Sequence, residues 1–214
     1  MILVTGGVKG GSGKTTVATN LTVLRAAAKK KVLLIDADED KSAAIWNQQR
    51  ELQKIPTSWT TIELSADALE NQVKRMYKDY DDIIIDVAGS NTISQRSALV
   101  LADVYLIPFQ PSSLDIWRVG NLKRICAQLS IINPKVKIYA FINRGDIQGN
   151  DNGDSIEILR ECSEFICLPF VICQRKAFKN AACEGLGVIE SKKVDKKAIS
   201  EIKNIYDFIY QNDC

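Results

Sequence analysis

Residues 8–16 read VKGGSGKTT, and the fold turns on how this stretch is understood. The general phosphate-loop pattern G-x-x-x-x-G-K-[ST] asks for glycine at position 8, where this chain has Val8. The surroundings nevertheless suit a phosphate loop. Gly10, Gly11 and Gly13 stand between a short apolar run, Ile2–Thr5, and a helical pattern that begins at Lys14. Glycines allow the backbone to curl with its N–H groups turned inward. Those groups, with the positive end of the following helix, attract phosphate oxygens. Lys14 is then placed to reach the β and γ phosphates of a nucleotide, and the Thr15 hydroxyl to bind Mg²⁺.

Outward from the loop, short apolar runs alternate with longer helical patterns. The expected strands are Ile2–Thr5, Val32–Asp36, Ile83–Asp86, Val104–Pro108, Val136–Ile142 and Leu168–Ile172, with Trp59–Leu64 as an edge strand. The main runs are continuous, as in strands covered on both faces. Helices are expected over Lys14–Ala28, Ser42–Gln53, Ala66–Tyr80, Ile93–Leu101, Leu114–Ser130, Ser155–Phe165, Arg175–Glu184 and Val194–Tyr210. In the last, Val194, Ala198, Ile202, Ile205 and Ile209 fall at helical spacing. Repeated βα units predict an α/β fold with a doubly wound, mostly parallel sheet flanked by helices. The 214 residues are expected to form one domain, with Gly145–Gly153 a loop inside it. Ligands of such sheets bind at the carboxyl ends of the strands. The run DDIIIDVAGS fits this rule, with Asp86 at its carboxyl end to hold Mg²⁺ through water.

Composition narrows the chemistry. Hydrophobic residues make up 46% and charged residues 25%, as in an ordinary globular protein. Histidine is absent, which excludes Ser-His and Cys-His nucleophilic catalysis. The cysteines at 126, 162, 167, 173, 183 and 214 form no C-x-x-C pair, so reduced thiols are expected in place of a zinc site. No signal peptide and no bilayer-spanning stretch is expected, and the chain is assigned to the cytoplasm.

The opening mismatch is informative. Lys9-Gly10-Gly11-Ser12-Gly13-Lys14-Thr15 fits the deviant Walker A form K-G-G-x-G-K-[ST], and with Thr16 it resembles the loop of the ParA/MinD family of ATPases. The resemblance implies ATP and Mg²⁺ as cofactors, and a nucleotide-sandwich homodimer in which Lys9 crosses to the partner's nucleotide. A second cation there offsets charge that develops at the γ phosphate. LLIDADED then resembles the family's switch I, with Asp38 positioning the attacking water and the Mg²⁺ shell. Glu39-Asp40 departs from the usual Pro-Gln, and an alternative role for the acids of this segment, Asp40 and to a lesser extent Asp38, is capping the helix near Ser42. Gly89 matches switch II, which senses the γ phosphate. Asn143, with Arg144 beside it in FINR, matches the residue that reads the adenine edge. Residues 107–120, IPFQPSSLDIWRVG, resemble a segment near the subunit interface. The tail ICQRKAFKNAACEGLGVIE extends the resemblance, which is nearest to short plasmid-partition ATPases.

From Arg175 to Lys197 seven Lys or Arg face three acids. Such a run can bind phosphate backbone without reading sequence, and a solvated lysine-rich surface is the alternative reading of the charge alone. The resemblance implies ATP-dependent, nonspecific DNA binding through Arg175, with Lys176 and Lys179 beside it, and association with the nucleoid. It also implies a centromere-binding partner, of ParB or ParG type, that stimulates hydrolysis. With no helix-turn-helix ahead of the first strand, sequence-specific operator binding is not expected. The alternative is a MinD-like switch, whose last helix would insert its apolar stripe into lipid. An iron–sulfur reductase sharing the deviant loop would need cluster cysteines that this pattern lacks. A scaffold without hydrolysis would follow if Glu39-Asp40 disables the switch.

Overall fold

The computed structural model describes residues 1–89, 92–111, 116–147 and 151–211. Seven strands form one sheet: β1 (Ile2–Thr5), β2 (Val32–Ala37), β3 (Thr60–Glu63), β4 (Asp82–Val87), β5 (Val104–Phe109), β6 (Lys137–Gly145) and β7 (Ile166–Cys173). Their order is β3-β2-β4-β1-β5-β6-β7, and every neighbouring pair is parallel. The expected fold class is therefore the observed one.

Among the described residues, six α-helices lie between strands, α1 (Lys14–Ala27), α2 (Ser42–Leu52), α3 (Ala66–Met76), α4 (Ile93–Leu101), α5 (Ile116–Ile132) and α6 (Asp151–Arg160), and two follow β7, α7 (Lys176–Cys183) and α8 (Lys196–Tyr210). Period-2 alternation divides the strand residues between two apolar layers. Val4, Leu33, Ile35, Ile83 and Ile85 face the layer that includes Leu69 of α3, Ala98 of α4, Leu122 of α5 and Leu159 of α6. Leu3, Leu34 and Ile84 face the other, with Val17 of α1, Trp46 of α2, Phe178 of α7 and Ile202 of α8. Burial on both faces explains why the strands read as unbroken apolar runs.

α3 ends at Met76, with a 3-10 turn over Tyr77–Asp79, short of the expected Tyr80, and two other helices begin elsewhere than expected. The stretch after β6 was expected to stay a loop through Gly153, but α6 begins at Asp151 and stops at Arg160. Asn152 ties this start to the strand end. It donates to the Asp146 carbonyl at 2.7 Å and accepts the Asp146 N–H at 3.0 Å. In α8 the apolar stripe starts later than predicted. Val194 precedes the helix and is exposed, and Asp195 caps it by accepting the N–H groups of Lys197 and Ala198. Ala198, Ile202 and Ile205 are buried within the layer that holds α1. Residues 112–115 of the interface-like segment, and Cys214, lie outside the described residues.

Candidate nucleotide site

The turns after β1, β2, β4 and β7, with the end of β6, surround a cleft of about 1060 Å³ at the carboxyl ends of the strands. β1 lies in the middle of the sheet, so its loop sits where ligands bind in doubly wound folds.

Gly13 makes the turn into α1 with φ of +91°. A Cβ there would lie 2.2 Å from the Asn143 amide nitrogen, so both the conformation and the close approach require glycine. Asn143 is buried and donates this amide to the Ser12 carbonyl at 2.5 Å. It therefore holds the loop as well as lining the cleft. Arg144 follows it with φ of +55°, at a register shift between β6 and β7. Such irregularities re-aim a side chain, and Arg144 is exposed and lines the same cleft.

Lys14 is buried, and its ammonium points back at the Lys9 carbonyl, 3.4 Å away. Gly10, Gly11, Thr15 and Thr16 line the cleft, and the Ser12 hydroxyl is buried without a hydrogen-bond partner. Gly89 comes from the other side. A Cβ on it would stand 2.6–2.9 Å from backbone atoms of Lys9 and Gly10, so the segment after β4 rests directly on the loop.

Asp86 at the end of β4 is fully buried. One oxygen accepts the Thr5 hydroxyl at 3.2 Å, and the other has no hydrogen-bond partner. An unpartnered buried carboxylate oxygen is costly unless a cation or a proton meets it. Burial pushes this carboxyl up to about 7, with Asp36 adding to the rise and Thr15, Lys14 and Thr5 opposing it. In the unfolded chain an aspartate loses its proton near pH 4, roughly. Between those values the folded metal-free chain binds more protons than the unfolded one. Its stability should therefore fall as pH rises from 5 to 7 on account of this group, and level off above. Asp86→Asn should flatten that slope in urea titrations run across this pH range.

Asp38 lines the cleft and accepts the Asp40 N–H at 3.1 Å. The helix-capping task suggested for the acids of this segment falls to Asp36, which sequence alone did not single out for it. Its carboxylate accepts the N–H of Ala44 at 2.8 Å and of Asp38 at 3.1 Å. Burial raises the Asp36 carboxyl above the ordinary aspartate range, and these N–H groups oppose the rise.

The basic tail divides. Arg175 lines the cleft but is ion-paired with Glu201 of α8 at 2.6 Å. Lys176 and Lys179 are exposed, as are Lys192, Lys193, Lys196 and Lys197. Arg50 of α2, another residue the sequence did not single out, is buried in a knot. Its guanidinium spans both oxygens of Glu190 at 2.7 and 2.8 Å, and donates to the carbonyls of Gly185 and Pro56. It also lies over Trp59, which stacks on Trp46.

Residues 2–188 match the CobQ/CobB/MinD/ParA nucleotide binding domain. The chain belongs to this family. Members of the ParA/MinD group are ATPases, and here the loop and Asp38 line one cleft, with Asp86 buried at the end of the strand that leads to Ala88 and Gly89 on its wall. The chain is 25% identical to maintenance of carboxysome distribution protein A of Halothiobacillus neapolitanus over 205 residues, 92% of this chain and 91% of that one. Its fold is similar to that of the Cyanothece McdA–ATP complex, with a TM-score of 0.80 at 18% identity, covering 98% and 96% of the two chains. It is also similar to a putative plasmid partition protein of Borrelia burgdorferi bound to AMPPNP, with a TM-score of 0.75 at 20% identity and 98% coverage of each.

Proposed function

We propose that this ParA/MinD-family ATPase is a partition switch that binds ATP with Mg²⁺, dimerises around the nucleotides, holds DNA nonspecifically and hydrolyses ATP when a partner protein stimulates it. The observation that carries the reading is Lys9 directly ahead of G-G-S-G-K-T, in a loop braced by Gly89 and Asn143. The names of the relatives, concerned with plasmid partition and carboxysome distribution, support a positioning task for the switch. Plasmid or chromosomal DNA is the proposed cargo, a centromere-binding protein of ParB or ParG type the proposed partner, and the nucleoid in the cytoplasm the proposed location.

The residues present suit Mg²⁺. The unpartnered buried oxygen of Asp86, the Thr15 hydroxyl and Asp38 are hard oxygen donors of the kind this cation prefers. When bound, the cation would neutralise phosphate charge. Thr15, Asp38 and Asp86 would hold it, with Asp38 also orienting the attacking water. Lys14 would grip the β and γ phosphates, and Lys9 would reach the nucleotide of a second copy. Gly10 to Thr16 would cradle the phosphates, while Asn143 and Arg144 would meet the base. With water oriented and no strong base at hand, turnover would be slow until the partner acts.

Lys176 and Lys179, exposed on α7, are the foremost proposed contacts to DNA phosphates. Arg175 joins them by leaving Glu201. Retardation of random-sequence duplexes tests this directly. ATP should tighten binding relative to ADP or no nucleotide. The affinity should fall steeply with salt, by roughly tenfold or more between 50 and 200 mM if only a few phosphates are met. Binding that ignores nucleotide, or salt, would refute the DNA half of the proposal.

The MinD-like alternative requires a lipid-seeking last helix. Ala198, Ile202 and Ile205 of α8 are instead buried against the protein's own core. Among the described residues no helix is long and apolar enough to cross a membrane. Co-sedimentation with anionic liposomes in ATP would favour this alternative over DNA.

A further inference from the structure

The first turn of α4 contains a residue that none of the functional roles above uses. Gln95 is 1% exposed. Its amide nitrogen donates to the Gly7 carbonyl at 3.1 Å and to the Tyr105 hydroxyl at 2.8 Å. Gly7 belongs to the phosphate loop's entry, and Tyr105 is a fully buried residue of β5, the strand beside β1. The amide oxygen of Gln95 has no hydrogen-bond partner.

The local sequence offers this side chain another destination. Thr92-Ile93-Ser94-Gln95 has the T-x-x-Q spacing of a capping box. Half of the box is made, because the Gln95 N–H donates to the Thr92 hydroxyl at 3.2 Å. In the complete box the glutamine side chain would turn back to the Thr92 N–H. Here it reaches across 88 residues of sequence to Gly7. Its acceptor oxygen is left unsatisfied, and a buried polar atom without a partner is costly. A local, satisfied arrangement is thus forgone for a long-range one that joins α4 to the loop.

The same stretch of chain meets the loop twice. Gly89 abuts Lys9 and Gly10, and six residues later Gln95 grips Gly7. We propose that Gln95 is a positioning residue for ATP hydrolysis, fixing α4 to the carbonyl of Gly7 so that the Ala88–Gly89 segment is held in place against Lys9–Gly10. Nucleotide binding itself depends on the loop N–H groups and Lys14, which Gln95 does not touch. The residue therefore affects the chemical step more than affinity.

The test is single-turnover hydrolysis of γ-labelled ATP by the full chain, with affinity measured separately using a fluorescent ATP analogue. Gln95→Met keeps the length and apolar bulk of the side chain and removes the amide. The hydrolysis rate should fall about tenfold, inside the ~100-fold that a 1 Å misplacement can cost, while affinity changes less than about threefold. Tyr105→Phe removes only one oxygen, so it keeps the proposal testable if Gln95→Met does not fold. It should lower the rate in the same direction, with affinity again held. The double variant should be no slower than Gln95→Met alone, since the pair acts as a unit. Undiminished hydrolysis in the folded variants would overturn the proposal. So would rate and affinity falling together in step with thermal stability, the mark of a merely structural residue. The idea rests on the nucleotide site and not on DNA binding. Lys14→Ala in the same assay is the control for that site, so the two failures are told apart.

Discussion

Lys14→Ala is expected to abolish ATP hydrolysis in an assay with radiolabelled nucleotide while the chain stays folded. The Lys14 side chain is buried in the loop, and its ammonium donates to the Lys9 carbonyl at 3.4 Å. That contact is long for a charged donor, so the group is held in place without being spent on the fold. In the proposed role, removing it would take away a cation from the β and γ phosphates, where charge builds in the transition state. Removal of one preorganised donor of this kind costs roughly 10²–10³ in rate, and a full charge at a triphosphate should cost at least that. Alanine is also a good residue for the first turn of α1, so secondary structure by circular dichroism should not change. Hydrolysis that survived the substitution would show that the loop does not grip the triphosphate.

Arg50→Ala should have the largest effect on stability. All its donors are engaged, with Glu190 taking two, the carbonyls of Pro56 and Gly185 taking others, and Thr57 accepting from Nε at 3.1 Å. Truncation would strand Glu190 beside a cavity and uncover one face of Trp59. Breaking a buried pair by removing one member costs about 3–5 kcal/mol, and the lower figure applies because Glu190 keeps some contact with solvent. At about 2–4 °C per kcal/mol for a chain of this size, the melting temperature should drop by roughly 10 °C. A change of one or two degrees in calorimetry would mean that the knot is dispensable. Arg50→Lys should recover little, since an ammonium cannot span both carboxylate oxygens.

These two residues also show what the sequence could and could not disclose. Lys14 was legible because phosphate loops are contiguous, and Lys9, Gly13 and Lys14 sit within a few positions of one another. The strands were legible for a similar reason, since burial on both faces leaves a continuous apolar run. Arg50, Asp36 and Gln95 had no such mark. Each is a polar residue whose partner lies on another segment, and periodicity carries no information about that. Asn143 was singled out by resemblance, and its bond to Ser12, 131 residues away, emerged only from the fold. The start of α6 was hidden because Asn152 and Gly153 are poor helix formers, and the Asn152 bonds to Asp146 override their preference. Val194 kept the helical spacing of its neighbours but precedes the Asp195 cap, so its place in the stripe was an artefact of periodicity.

The knot around Arg50 has a mechanical consequence. α2 begins four residues after Asp38, and Glu190 lies two residues before Lys192. A single guanidinium therefore ties the helix that follows the acidic lip of the cleft to the segment that leads into the lysine run.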